Sequence, residues 1–141
     1  MAVTSEASTV WSGDLLSGDG IVSLDSSAAA SFPVSWAARA KGEAGGTNPE
    51  ELLGAAHAAC FSMALAGALT DAGTPPHSVQ TTAAVTFDPA KGITGSHLLV
   101  SARVPGISEA DFERIAEETK TSCPVSRALT GIPITLEANL A

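Results

Sequence analysis

Residues Leu52 to Leu69 read LLGAAHAACFSMALAGAL, eighteen residues without a charge. Upstream, Thr47-Asn48-Pro49-Glu50-Glu51 has the chemistry of a helix start. Asn48 suits the N-cap and Pro49 the first helical position; Glu51 suits the reciprocal half of a capping box, and both acids favour the positive end of the helix dipole. Downstream, Asp71-Ala72-Gly73 and Pro75-Pro76 stop it. The Ala, Leu and Met between them predict a helix of about six turns. A helix apolar all round is a buried one, and Cys60 stands in its middle. The length is near the lower limit for a membrane span. The run, however, is mostly Ala, Gly and Ser, contains His57, and is flanked by acids rather than by Lys or Arg anchors. Small residues that let other backbones approach point to a protein core.

Working outward, the segments before the helix read as short strands. Val10-Trp11 precedes the turn Ser12-Gly13-Asp14, and Ile21 to Leu24 follows Gly18-Asp19-Gly20. Phe32, Val34 and Trp36 alternate with Pro33 and Ser35, a half-buried strand that Pro33 confines to an edge or a strand start. Ala38 to Gly46 reads as a flexible, charged approach to the helix. Beyond the helix, Ser78 to Asp88 is a strand with Val79, Thr81, Ala83, Val85 and Phe87 on one face. Leu98, Val100, Ala102 and Val104 form the next, paired with it as a hairpin. Ser108 opens a second helix whose buried face is Phe112, Ile115, Ala116 and Thr119. Cys123-Pro124-Val125 starts another, to Leu129, and Ile134, Leu136, Ala138 and Leu140 alternate as a last strand. The pattern is α+β in one domain, residues 1–141: a long buried helix packed against an antiparallel sheet.

A chain of 141 residues is long enough for a sizeable core. The net charge of −8 argues against nucleic acid and anionic membrane as partners. Met1 to Glu6 lacks a basic region followed by an apolar run, so no signal peptide is read and a cytoplasmic location is expected. Cys60 and Cys123 form no C-x-x-C and no zinc-type cluster. Two buried free thiols is the plain reading; a redox pair is the sharper one. Cys123 precedes Pro124, which pushes it toward the extended conformation of an N-cap, where a thiol's pKa falls. On that ground alone Cys123 is a candidate for the attacking thiol. His57, one turn before Cys60, reads as a packed core histidine ahead of a base or metal ligand, since a zinc site needs three or four ligands.

Asn48-Pro49-Glu50-Glu51-Leu52 followed by Ala55-Ala56-His57-Ala58-Ala59-Cys60-Phe61 resembles the osmotically inducible protein C and organic hydroperoxide resistance family, and Cys123-Pro124-Val125-Ser126 falls where that family has its second cysteine. Trp11 with Gly13, Val104-Pro105-Gly106-Ile107 and the closing strand agree. Phe61-Ser62-Met63-Ala64-Leu65 is similar to the OsmC branch. The resemblance implies a thiol peroxidase acting on organic hydroperoxides and less well on hydrogen peroxide, without metal, flavin or haem. It implies an intertwined homodimer with two sites at the interface. Cys60 is then the peroxidatic cysteine, Cys123 the resolving one, and Arg39 with Glu50 a supporting ion pair; the reductant is a small thiol or dithiol, the lipoyl type included. The stretch Gly42 to Thr47 is a residue longer than the family pattern, which bears on the placement of Arg39.

Spacing adds a constraint. Glu50 and Cys60 are ten residues apart, about 15 Å along a helix and not on one face. Glu50 therefore serves a Cys60 only if a second copy of the helix runs antiparallel to the first. Two other classes compete with the peroxidase. One is a non-catalytic dimer that binds apolar ligands with the same helix. The other is a hotdog-type acyl thioesterase, disfavoured because only His57 supplies an acid or base in mid-helix.

Overall fold

Alternation and capping signals resolve into ten elements in the computed structural model, which describes residues 1–141. In chain order they are β1 Ala7–Ser12, β2 Asp19–Leu24, β3 Ser31–Val34, α1 Trp36–Ala40, α2 Pro49–Asp71, β4 Ser78–Asp88, β5 Gly92–Arg103, α3 Glu109–Ser122, α4 Pro124–Ala128 and β6 Ile134–Leu140. They fall into two compact units, Met1–Leu52 and Leu53–Ala141.

In the first unit β1, β2 and β3 form an antiparallel meander. Pro33 lies on the edge strand β3, where its missing N–H leaves no ladder bond unmade, and its carbonyl accepts from the Thr47 N–H at 2.8 Å. The strand expected to run through Trp36 ends at Val34 instead. The Ser35 hydroxyl accepts from the Ala38 N–H at 3.1 Å and caps α1, so Trp36 and Arg39 are helical. The Ala-rich run therefore follows its helix propensity, and the flexible approach shrinks to Lys41–Gly46. Asn48 caps twice. Its Oδ1 accepts from the Glu51 N–H at 2.8 Å, and its Nδ2 donates to the Ala38 carbonyl at 3.2 Å, tying the end of α1 to the start of α2. The reciprocal half of the expected capping box is absent: Glu51 accepts from the Thr47 hydroxyl rather than from the Asn48 N–H. The apolar core of this unit is thin. Val22 and Ala38 are its buried hydrophobic residues, while Val10, Leu16 and Ile21 lie exposed.

In the second unit, helix α2 buries Gly54, His57, Phe61, Leu65 and Leu69, spaced three and four apart along one face. Phe61, Leu65 and Leu69 share a core with Leu98, Val100 and Ala102 of β5 and with Phe112, Ile115 and Ala116 of α3. Length and composition alone would let α2 cross a membrane; this stripe, fully buried against protein, marks it as a core helix. The long central helix stands as expected, but one chain covers only one of its faces. Ala55, Ala59, Met63 and Gly67 on the opposite face are exposed, Met63 at 76%. The helix ends in a Schellman motif. Gly73 has φ +84°, its N–H donates to Thr70 at 3.0 Å, and the Thr74 N–H donates to Leu69 at 2.9 Å.

Strands β4 and β5 form the expected hairpin, with a register irregularity at Thr86/Phe87. The third strand corrects the antiparallel expectation, because β6 runs parallel to β5. Alternation fixes which residues face the core but not strand direction. Here α3 and α4 supply the crossover that a parallel neighbour needs. Helix α3 has Ser108 as N-cap and buries Phe112, Ile115, Ala116 and Thr119, as read from its periodicity.

At Gly54 helix α2 comes close to the sheet: a Cβ there would sit 2.9 Å from the Ala83 carbonyl oxygen. Ala improves helix propensity by about 1 kcal/mol, but overpacking against backbone costs about 1–3 kcal/mol. Gly54→Ala is accordingly expected to lower the urea midpoint of unfolding. A midpoint at or above wild type would show that the helix has room to move.

Candidate active site

The residue before a proline avoids the helical region, and Cys123 accordingly has φ −53°, ψ 127° and occupies the N-cap of α4, with Pro124 at its start. That places the Cys123 sulfur at the positive end of a short helix. Helix α2 brings Cys60 to it: the two sulfurs are 3.1 Å apart, in hydrogen-bond contact, and both are free thiols. Cys123 is fully buried and Cys60 half-buried.

The two thiols titrate in opposite directions. Burial pushes the Cys60 thiol up; the Val125 N–H pulls it down, but the neighbouring Cys123 raises it further. Burial also pushes Cys123 up, yet the Ser126 N–H, the Cys60 thiol, the Ser126 hydroxyl and the Val125 N–H together outweigh it, so the Cys123 pKa falls below its ordinary value. The surroundings in a single chain thus favour negative charge on Cys123 over Cys60. A lowered Cys60 pKa calls for a cation.

His57 is fully buried and bridges two elements. Its Nδ1 lies 2.7 Å from the Ser96 hydroxyl on β5 and its Nε2 2.8 Å from the Ser126 hydroxyl on α4. Both ring nitrogens are thus engaged, in keeping with the core-histidine reading. Burial holds the imidazole pKa below its ordinary value. Sequence reasoning singled out His57 and quoted Ser126 in its motif, but gave Ser96 and Ser126 no part. The only signal was that a buried histidine needs partners.

In the other unit, Arg39 and Glu50 form the ion pair expected of them. Nη2 and Nε of Arg39 lie 2.7 Å and 3.0 Å from Glu50 Oε1, with Nε 3.2 Å from Oε2. Glu50 is buried and the Arg39 side chain 30% exposed. Arg39 sits on α1 rather than on a mobile loop, so the longer Gly42–Thr47 stretch does not displace it from Glu50. Arg39 lines a mostly apolar cleft of ≈ 350 Å³ together with Trp11, Val22, Val34, Trp36 and Leu52. The four residues singled out from the sequence thus form two pairs, Arg39–Glu50 in Met1–Leu52 and Cys60–Cys123 in Leu53–Ala141.

An α+β chain that holds two free thiols in contact, one at a helix N-terminus, has the make-up of a dithiol redox protein. The family model of OsmC-like proteins matches residues 41–137, and the chain belongs to that family. It is 43% identical to peroxiredoxin OsmC of Escherichia coli over 143 residues, covering 99% of each chain. It is 33% identical to organic hydroperoxide resistance protein OhrA of Bacillus subtilis, covering 89% of this chain and 86% of that one. Among solved structures, an OsmC-like protein from Mycoplasma pneumoniae superposes with a TM-score of 0.75 at 17% identity, covering 100% of this chain and 99% of the other, and so shares the fold.

The buried imidazole has a consequence for stability. Its folded pKa lies below that of an unfolded histidine, so as pH falls through about 6.5 the unfolded chain takes up a proton that the native one refuses. Stability present above that pH is expected to decline below it, by up to about 1.4 kcal/mol per pH unit from this group, until the folded pKa is reached. NMR titration of the His57 ring checks this, and a midpoint at or above about 6.5 would contradict it.

Proposed function

We infer that this protein is a thiol-dependent peroxidase that reduces organic hydroperoxides, and hydrogen peroxide less well, to alcohols and water. The observation that carries the reading is the 3.1 Å contact between two free thiols, Cys60 and Cys123. Its relatives named peroxiredoxin OsmC and organic hydroperoxide resistance protein support the substrate class. The Cys60 thiolate attacks the distal peroxide oxygen; the O–O bond breaks, Cys60 becomes a sulfenic acid and the alcohol leaves. Cys123 condenses with the sulfenic acid, releasing water and closing a disulfide. A small thiol or dithiol, such as a lipoyl group, then reduces that disulfide by exchange. The cycle draws on the two sulfurs and needs no metal, flavin or haem.

Burial pushes the Cys60 thiol up, so a Cys60 that attacks as a thiolate calls for a cation beside it. We assign the missing cation to a second copy. Glu50 and Cys60 are about 15 Å apart along α2, so Arg39 and Glu50 of the partner subunit serve Cys60, the carboxylate orienting a guanidinium that holds thiolate and peroxide alike. The exposed Ala55, Ala59, Met63 and Gly67 on α2 and the thin core of Met1–Leu52 support an intertwined homodimer, in which the whole chain acts as one domain. The apolar cleft beside Arg39 takes the organic tail of the hydroperoxide. The reduced cytoplasm is the compartment that would keep both thiols available.

Cys60→Ser is expected to abolish peroxide turnover, whereas Cys123→Ser still consumes one equivalent per Cys60 and stops at the sulfenic acid. Sustained turnover by Cys60→Ser would overturn the assignment. Refolding Cys60→Ser together with the inactive double variant Arg39→Ala/Glu50→Ala tests the shared site. Random assembly makes about half the dimers mixed, each with one intact site. Mixed dimers that stay inactive, while wild type refolds to activity, would show that each chain serves itself.

A further inference from the structure

Cys60 and Cys123 are free thiols 3.1 Å apart. That is too long for a disulfide, whose sulfurs lie about 2.05 Å apart, and short enough for a single atom to bond to both. No group of three metal-binding side chains includes them. His57, a turn before Cys60, adds no third donor, because Ser96 engages its Nδ1 at 2.7 Å and Ser126 its Nε2 at 2.8 Å. The donor set is two sulfurs side by side. Such a set fails zinc, which takes three or four protein ligands. It also fails a linear two-coordinate ion, whose sulfurs stand on opposite sides, separated by twice a metal–sulfur bond. It suits a pyramidal, sulfur-seeking centre that brings its own third group and needs two more bonds from one side. Cys123 belongs to the apolar core and Cys60 packs against it, so the ligand must enter uncharged. An organic arsenic(III) dihydroxide, RAs(OH)2, meets both demands.

We propose that the reduced Cys60–Cys123 pair is a binding site for monosubstituted trivalent arsenicals, held as a cyclic dithiolate. Cys60, half-buried, meets the arsenical first, because Cys123 is fully buried. Each thiol gives its proton to one arsenic-bound hydroxide. Two As–O bonds break, two As–S bonds form and two waters leave; arsenic stays trivalent and no electrons move. The second As–S bond forms within one complex, where the neighbouring sulfur acts at a high effective concentration. The bonding is independent of the peroxidase reading. Only its consequence rests on that reading: a capped pair can neither attack a peroxide nor close a disulfide, so the arsenical inhibits the enzyme.

Phenylarsine oxide, which water hydrates to the dihydroxide, is the probe, added to the reduced wild-type protein with no peroxide present. Native mass spectrometry is expected to saturate at one arsenical per chain. A small dithiol such as dimercaptopropanol should strip it off, and glutathione at the same thiol concentration should not. Cys60→Ser and Cys123→Ser each keep one sulfur and are expected to bind at least about a hundredfold more weakly, the gain that linking two bonds supplies. Wild type oxidised to the disulfide with diamide needs no variant, so it stands in should either serine form fail to fold; it is expected to bind none. Affinity in a folded serine variant within a few-fold of wild type would overturn the proposal. So would binding by the oxidised protein, or zinc held as tightly as the arsenical. If the arsenical binds in this way and wild type consumes no peroxide, the peroxidase reading falls and the site stands. If peroxide is consumed and no chelated arsenical forms, the site falls and the peroxidase reading stands.

Discussion

Burying a thiol raises its pKa, and helix α2 carries Cys60 in a run of eighteen uncharged residues. The helix is stable because it is apolar and rich in small residues, and for the same reason it cannot itself ionise the sulfur it holds. Every charge or donor that acts on the two cysteines must come from another element. Helix α4 brings backbone N–H groups and the Ser126 hydroxyl to Cys123. For Cys60 the single chain supplies the Val125 N–H, which burial and Cys123 outweigh. The electrostatic order of the two thiols thus follows from where each sits, Cys60 in the middle of α2 and Cys123 at the N-cap of α4.

The fold was legible where local chemistry acts alone. Asn48, Pro49 and Gly73 bracket α2 because caps and a left-handed stop depend on a few neighbouring residues. The faces of β4 and α3 follow from periods of two and 3.6. What was not legible is what depends on contacts distant in sequence. Trp36 alternates with Val34 like a strand residue, yet the Ser35 cap turns the chain into α1. The direction of β6 depends on where α3 and α4 deliver the chain, not on its own alternation.

The site divides in the same way. Cys60, Cys123, Arg39 and Glu50 could be named as candidates because the stretch from Asn48 to Phe61 and Cys123-Pro124-Val125-Ser126 resemble a known family, and the roles came with that resemblance. The partners of His57 could not. Ser96 and Ser126 lie 39 and 69 residues away from it, and nothing in either segment distinguishes these serines from ordinary polar ones. The separation of 11 positions between Arg39 and Glu50 holds a further lesson. Asn48 bonds the end of α1 and the start of α2 at once, so one amide sets the geometry in which guanidinium and carboxylate meet.

The parallel pairing of β6 with β5 also orders the assembly of the chain. A hairpin such as β4–β5 can zip from its turn as soon as both strands exist. A parallel neighbour must wait until the intervening helices have formed and folded back, because the loop between its ends closes before any ladder bond rewards it. Cys123 lies within that returning segment, and Cys60 lies upstream of the hairpin. The contact of the two sulfurs spans 63 positions of sequence, so it closes a long loop of its own. During synthesis the upstream thiol emerges without its partner. A Cys60–Cys123 disulfide cannot close before the chain has been made as far as α4.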